Sequence, residues 1–556
     1  MDLDTRPTCS AVTHKHIVQS ATDARAKNFR TVVTAVELVV YGRWTSGEAF
    51  EKNERMSGLA ADQPVEPPTD PPRRSLGRNI LAILSSQVAT WSLSAVLLVV
   101  MPRYLGPVAL GQLRISTSMW AVVTVIAVFG TSSFMSIEIA KRHQQARPLS
   151  GSVTRLRASV FASTLPGVAL FVTLAGYESR LVLIVAIGAV GALAGSISGT
   201  QRSALLACEQ MGVTGGIDVA AEVLTVVTVV FALVVGAGVV TIACVTAATM
   251  VVAAALFRRG LLRTTPPTDE PPLFRGWTLM RRGSPFFFAD AMVTIYLQVD
   301  TLVISLIASE REIGWYATAD SIFGSLLFVP AVLLTAIFPR VARLHHEKPE
   351  DVPPLLLQAF STMLLVGVWI GLGTVVVSRS FTQTLFGPAF SGSGPVLAIF
   401  GLVTILGHQT IVLASFAIAS GKAKLVGTML LVSTIASIPL DLVLVRWTRN
   451  SYGNGAIGAG LAYIVTEGIQ IVMSIAFITP SIVCRATGLR AARCIVAGGA
   501  MLAVGWPLRN RSFLLSGAAA SLMYFVAHVV LRTADDFERE TLKRSLAGIR
   551  RRLPTR

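Results

Sequence analysis

The chain alternates long apolar blocks with short polar ones. From about residue 79 onward, stretches of roughly twenty apolar residues recur, each long enough as a helix to cross the hydrocarbon layer. The pattern predicts spans at 79–101, 115–137, 158–176, 181–201, 218–235, 239–257, 285–308, 315–338, 354–378, 396–418, 426–445, 458–479, 495–508 and 512–531, about fourteen in all. The thirteenth is short. Pro166, Pro330 and Pro439 fall inside spans, which membrane helices accommodate because neighbouring groups satisfy the freed backbone. The expected fold class is an all-α polytopic membrane protein.

The flanks read differently. Residues 1–77 are mostly polar and end in the Pro-rich "DQPVEPPTDPPRR". This composition predicts a disordered extension. Its one apolar run, 31–42, is too short to span and contains Glu37. At the other end, Leu542, Leu546, Ile549 and Leu553 recur at helical spacing among Arg and Lys, following the capping pattern of Thr533 and Asp536. Residues 532–556 are thus expected to form a basic amphipathic helix on anionic lipid.

Composition excludes a large soluble core. Hydrophobic residues make up 53% and charged residues only 14%, against about 25% charged in soluble domains. The net charge of +17 is explained by its distribution. Loops on the N-terminal side carry twenty Lys and Arg, the opposite loops nine. The richest are 141–157 and 258–282. By the positive-inside bias, both termini are cytoplasmic and the chain is a multi-pass protein of the plasma (inner) membrane. Basic loops between spans need no nucleic-acid partner. The five cysteines (Cys9, Cys208, Cys244, Cys484, Cys494) lack metal-ligand spacing, and His345–His346 reads as a solvated pair, so no metal site and no cofactor is expected.

The two halves echo each other. Gly111 and Gly314 each precede a span, and Ser118 and Ser321 follow seven residues later. "EIAKR" (138–142) corresponds to "FPRVARL" (338–344), and "LACEQMG" (206–212) to "IASGKAK" (418–424). Spans 1–6 and 7–12 therefore read as a parallel repeat, two bundles facing each other across a cavity, with spans 13–14 added. The expected organisation is a first lobe at 78–257, a basic cytoplasmic linker at 258–284, a second lobe at 285–479 and the added pair at 480–531.

Here the sequence resembles a known family. The motifs are "RYLGPVALGQ" (103–112), "FGTSSFMSIEIAKR" (129–142), "LLACEQMG" (205–212), "VDTLVISLIASEREIGWYATAD" (299–320), "VPAVLLTAIFPRVARL" (329–344), "TLFGPAFSGSGPVL" (384–397), "ASGKAK" (419–424) and "YGNGAIGAGLAYIVTEG" (452–468). Their order resembles the polysaccharide branch of the flippases and exporters related to multidrug and toxin extrusion proteins. The resemblance implies two six-helix lobes in a V that open alternately to each side. It implies a polyprenyl-diphosphate-linked oligosaccharide as substrate, its head crossing the cavity while its tail stays in lipid, for surface polysaccharide synthesis. Glycan polymerases or glycosyltransferases would then be partners. Where the family often carries Asn near the middle of span 11, this chain has Asp441.

Such a protein needs cations for the diphosphate and a device for coupling. No Arg or Lys falls inside an expected span. Arg114 and Arg202, at span ends, are the expected diphosphate contacts, since a guanidinium pairs with phosphate oxygens. Gln298, His408 and Gln409 add hydrogen-bonding groups for the substrate. Asp290, Asp300 and Asp320 lie among or beside apolar spans, where a carboxylate is expected to face protein or water rather than lipid. Asp290 and Asp300 differ by about 80° in azimuth on one helix, so both are expected to face one cavity. A desolvated carboxylate there can bind H⁺ or Na⁺ and couple ion flow to transport. The other buried acids are Glu222, Asp441 and Glu467, with Gln470 beside the last.

Nothing in the sequence suggests an enzyme. It contains no P-loop and no nucleophile–base set on a soluble domain. Three alternatives stay open: an H⁺- or Na⁺-coupled multidrug or cation exporter of the same fold, a membrane polysaccharide polymerase or glycosyltransferase, and a lipid II flippase. The second would need a charged outer loop, yet the longest one, 379–395, holds a single charge, Arg379.

Overall fold

A computed structural model describes residues 76–531 except 480, 481 and 483. The expected disordered extension and amphipathic tail lie outside these residues, apart from the boundary. Among the described residues the structure is helical throughout: α1 (Leu76–Val128), α2 (Thr131–Lys141), α3 (Ala146–Leu174), α4 (Ser179–Ala207), α5 (Met211–Val234) and α6 (Val239–Thr264) come first. Then follow α7 (Trp277–Ser305), α8 (Glu310–Leu326), α9 (Phe328–Glu347), α10 (Val352–Phe386), α11 (Ser393–Ala419), α12 (Ala423–Tyr452), α13 (Gly455–Phe477), α14 (Arg485–Leu508) and α15 (Phe513–Val530).

Eleven of the described helices are long and apolar enough to cross a membrane, or twelve if α7, bent by 61° between Phe288 and Asp290, counts as one span. The sequence pattern predicted about fourteen. The difference has local causes. Expected spans 1 and 2 share α1, which is broken only at Gly106, where φ is 76°. Expected span 8 is divided at Leu327 into α8 and α9, and α8 alone has 17 residues. Many outward side chains are bare hydrocarbon: Leu174, Val472 and Val529 are 79%, 67% and 78% exposed. In water such a surface would aggregate; in a bilayer it is solvated by lipid tails. The chain is a multi-pass membrane protein.

Helices α1–α6 pack around one set of apolar contacts and α7–α13 around another, joined along α1, α7 and α8. The joint core places Ile115, Met119 and Trp120 of α1 with Tyr296 and Ile304 of α7 and Tyr316 and Phe323 of α8. Local signals fix where these helices start. Ser309 and Glu312 form a capping box: Ser309 N–H donates to Glu312 Oε2 at 2.8 Å, and the Ser309 hydroxyl accepts from Glu312 N–H. The other oxygen of Glu312 accepts from Gly455 N–H at 2.7 Å, tying the start of α8 to the start of α13. Asn454 caps α13 and also donates to the Gly392 carbonyl at 2.9 Å.

The added pair, α14 and α15, docks on α10. Val368 and Val376 of α10 pack with Met501, Ala520 and Tyr524. The Tyr524 hydroxyl donates to the Leu365 carbonyl at 2.8 Å, and the Trp369 indole donates to Ser521 at 3.0 Å.

Candidate functional site

After the Gly106 break, α1 crosses α8 at a backbone-to-backbone contact. A Cβ on Gly111 would lie 1.9 Å from the Glu310 carbonyl oxygen, and one on Gly314 would lie 1.8 Å from the Pro107 carbonyl oxygen. Only glycine at both positions permits this approach. These are the two glycines that the internal repeat pairs in sequence. The fold brings them face to face, one from each half of the chain.

Polar side chains lock the crossing. Gln112 Nε2 donates to Glu310 Oε2 at 2.8 Å. Two residues further along α1, Arg114 Nη2 donates to Asp320 Oδ2 at 2.5 Å, with side chains 22% and 21% exposed. The Tyr177 and Ser305 hydroxyls meet at 2.6 Å. Burial pushes the Glu310 carboxyl above its ordinary range, and the Gln112 hydrogen bond offsets part of this.

The lobes also touch away from this crossing. Phe129 and Gly130, both at positive φ (44° and 65°), separate α1 from α2. A Cβ on Gly130 would lie 2.3 Å from the Gly283 carbonyl oxygen, and the Phe129 ring stacks on Phe287 at 4.2 Å. The described state therefore holds the two lobes together at two separate places.

Beneath the crossing, the second lobe buries a cluster of acids. Asp300 of α7, Asp441 of α12 and Glu467 of α13 are 5%, 0% and 5% exposed. The Tyr296 hydroxyl donates to Glu467 Oε1 at 2.9 Å. Asp300 and Asp441 lie within hydrogen-bonding reach of each other, with Ser437 beside Asp300. As carboxylates they cannot donate to one another, and Asp300 Oδ1 and both Asp441 oxygens then have no donor. Two buried carboxylates in contact require a shared proton or a cation between them. Asp320 lies close enough for its charge to be felt at Asp300. A polar line thus runs from Arg114 in the first lobe through Asp320 and Asp300 to Asp441. Among the described residues, no group of three or more His, Cys, Asp or Glu side chains is arranged to hold a metal ion.

The other sequence candidates have separate fates. Asp290 is exposed at the start of the half of α7 that also carries Asp300, so the two carboxyls share a straight helix but not a burial environment: Asp290 faces out and Asp300 is buried. The partner of Asp300 is Asp441, which the sequence marked as a buried acid standing where Asn is common but did not pair with Asp300. Arg202 belongs to the first lobe, where it grips Asp218 through Nε and Nη2 at 3.0–3.1 Å. Gln298 is half-buried on α7. His408 is fully buried, its Nδ1 2.8 Å from the Thr404 carbonyl oxygen and its ring against Gly367 of α10. Gln409 is buried with neither amide atom paired.

Arg157, which the sequence places at the edge of the third expected span, was not singled out there; it lies within the apolar helix running through Leu174 and is 1% exposed. Its guanidinium donates to Thr131 Oγ1, Ser132 Oγ, Thr200 Oγ1 and the Ser196 carbonyl at 2.7–3.2 Å. Four basic neighbours in the preceding segment made it look like loop. The signal that separates it is the hydroxyl set Thr131, Ser132, Thr200, which only the fold gathers.

A family model described as "Polysaccharide biosynthesis protein" matches residues 76–345. A "Putative O-antigen export protein" of Yersinia pseudotuberculosis is 23% identical over 150 residues, covering 27% of this chain. The matched stretch spans about a third of that relative, 34% of its length. Among solved structures, "Lipid II flippase MurJ, inward closed conformation" superposes with a TM-score of 0.66 at 13% identity, over 84% of this chain and 99% of that one. An inward-facing multidrug resistance MATE family transporter of the MOP superfamily gives 0.54 at 15% identity, over 73% and 98%. The resemblance read from the sequence is borne out as a likeness, and the chain shares the fold of these two structures.

Proposed function

We propose that this chain is a flippase that moves a polyprenyl-diphosphate-linked oligosaccharide across the cytoplasmic membrane by alternating access, for surface polysaccharide synthesis. The observation that carries the reading is the Gly111–Gly314 crossing, a contact between the two lobes that can part as a unit. The matches to a polysaccharide biosynthesis family and an O-antigen export protein support the substrate class. No covalent chemistry is required, so the protein is a transporter and not an enzyme.

With both termini cytoplasmic, as the loop charges favour, the crossing lies at the outer end and closes the path to the outside. Separating the lobes there breaks the Arg114–Asp320 ion pair. Arg114 is then free to meet the diphosphate, and Asp320 loses its counter-charge. The Asp300–Asp441 pair, next along the line, takes up or releases a proton or Na⁺ in response. Glycan polymerases or glycosyltransferases act on the delivered product. An ion-coupled multidrug exporter is the second reading, favoured by the acidic cluster.

The test is flipping of a fluorescent polyprenyl-diphosphate oligosaccharide in vesicles holding the purified protein. Wild-type protein should expose the glycan on the far leaflet, and Arg114→Gln should slow it. Gradient-driven ethidium export without flipping would replace the first reading by the second. Reporter fusions after residues 150, 270 and 348 should all report cytoplasm, and an external signal at 270 would reverse the orientation.

A further inference from the structure

A cavity of about 380 Å³ lies between the C-terminal end of α10 and the turn joining α14 to α15. Arg379, Gln383, Thr384, Arg509, Asn510 and Arg511 line it, and no carboxylate among the described residues does. Three guanidiniums converging without a counter-ion repel one another unless an anion sits among them. Arg509 makes this sharper. Its guanidinium lies over the Trp506 ring at 3.7 Å, while its Nη1 is buried with no hydrogen-bond partner. A buried donor on a cation costs free energy unless it is paired. Helix α15 begins just past Asn510–Ser512, so its unpaired N–H groups and positive dipole end add to the same field.

The surroundings limit what the anion can be. Trp506 is 50% exposed and Leu514 69% exposed, apolar surface immediately flanking the basic turn. Phe381 and Phe513 meet edge to face at 5.5 Å beside it. A basic cradle against lipid-facing aromatic and aliphatic surface fits an amphiphile with an anionic head better than a soluble anion. The cavity is also at the end that carries the lobe crossing, since Trp315 of α8 donates to the Ala389 carbonyl at 2.9 Å, just past α10.

We propose that this pocket binds the phosphate-bearing head group of a lipid in the outer leaflet. Arg379, Arg509 and Arg511 pair with the phosphate oxygens, and Gln383, Thr384 and Asn510 hydrogen-bond to the remaining head-group atoms. Two lipids carry that chemistry there: an anionic glycerophospholipid, or the diphosphate carrier after delivery. The word "outer" rests on the orientation proposed above; the pocket's chemistry does not.

The test uses the purified full-length chain in detergent and native mass spectrometry with dioleoyl-phosphatidylglycerol, dioleoyl-phosphatidylcholine and geranylgeranyl diphosphate. Phosphatidylglycerol should bind about tenfold tighter than phosphatidylcholine, a difference of about 1.4 kcal/mol. Arg509→Gln should erase that preference. Because Arg509 also stacks on Trp506, the double variant Arg379→Gln/Arg511→Gln, altering two exposed side chains, is an independent arm and should erase it too. Displacement of phosphatidylglycerol by geranylgeranyl diphosphate at lower concentration, dependent on the same arginines, assigns the pocket to the carrier. Equal displacement by inorganic diphosphate would overturn the lipid assignment. An unchanged preference in the double variant would overturn the site. The measurement needs no transport, so its failure leaves the flippase reading standing, and failure to flip leaves it untouched.

Discussion

Replacing Gly111 or Gly314 by alanine is the sharpest perturbation the structure offers. The added methyl would sit 1.9 Å from the Glu310 carbonyl oxygen in the first case and 1.8 Å from the Pro107 carbonyl oxygen in the second. Ordinary contact needs about 3.4 Å, so α1 and α8 must separate by roughly 1.5 Å. The opposing atoms are backbone and cannot rotate away. Overpacking of this kind costs about 1–3 kcal/mol, and a backbone obstacle puts it near the top of that range. The cost falls only on the state in which the crossing is closed. A penalty of about 3 kcal/mol shifts a two-state equilibrium on the order of a hundredfold toward the state open at that end. The separation also stretches the Gln112–Glu310 and Arg114–Asp320 contacts, which adds in the same direction. Spin labels at Arg180 and Arg311, both exposed near the crossing, in a cysteine-free background, report the distance between the lobes. Gly111→Ala and Gly314→Ala should each lengthen the dominant distance while thermal stability stays within a few degrees, because the open state accommodates the methyl. Flipping should fall, since the cycle stalls. An unchanged distance distribution with wild-type flipping in both variants would refute the argument that this crossing is the moving seal.

Three further outcomes follow from other parts of the molecule. Asp441→Asn supplies a donor to Asp300 and removes the like-charge contact, so it should keep or raise stability while flipping loses its dependence on an imposed proton or Na⁺ gradient; retained gradient dependence counts against coupling at this pair. Arg157→Lys keeps the charge but cannot reach the hydroxyls of Thr131, Ser132 and Thr200 together, and should destabilise the protein by about 2–3 kcal/mol in detergent melts; a loss under 0.5 kcal/mol would show that the gathered hydroxyls matter little. Burial raises the Glu310 carboxyl when the crossing is closed, and exposure on opening should return it to its ordinary range. The closed state therefore binds more protons just above the ordinary carboxylate range, and lowering the pH through that window should favour closure. Glu310→Gln should flatten this response in the same spin-label distances, and a wild-type pH profile in that variant would assign the response to another group.

The sequence by itself determined the class. Blocks of about twenty apolar residues have one physical solution in a bilayer, because unpaired backbone groups in hydrocarbon must be satisfied within a helix. It also paired Gly111 with Gly314, each followed by a Ser seven residues later, and the fold sets these two glycines against one another's helices. It marked Asp300 as a group needing a polar neighbour. What it could not decide was which neighbour. Helical spacing pairs Asp300 with Asp290, but Asp290 stays exposed ten residues away while the packing of α7 on α12 supplies Asp441 from 141 positions away. Arg157 reads as one more loop cation until the fold brings three hydroxyls and a carbonyl around it. Arg379, Arg509 and Arg511 read as ordinary span-end cations until the added pair docks on α10 and turns them into one pocket. Hydrophobic periodicity is a one-dimensional record of what must leave water. The partner of a buried charge is set by contacts between distant segments, and only tertiary packing chooses among them.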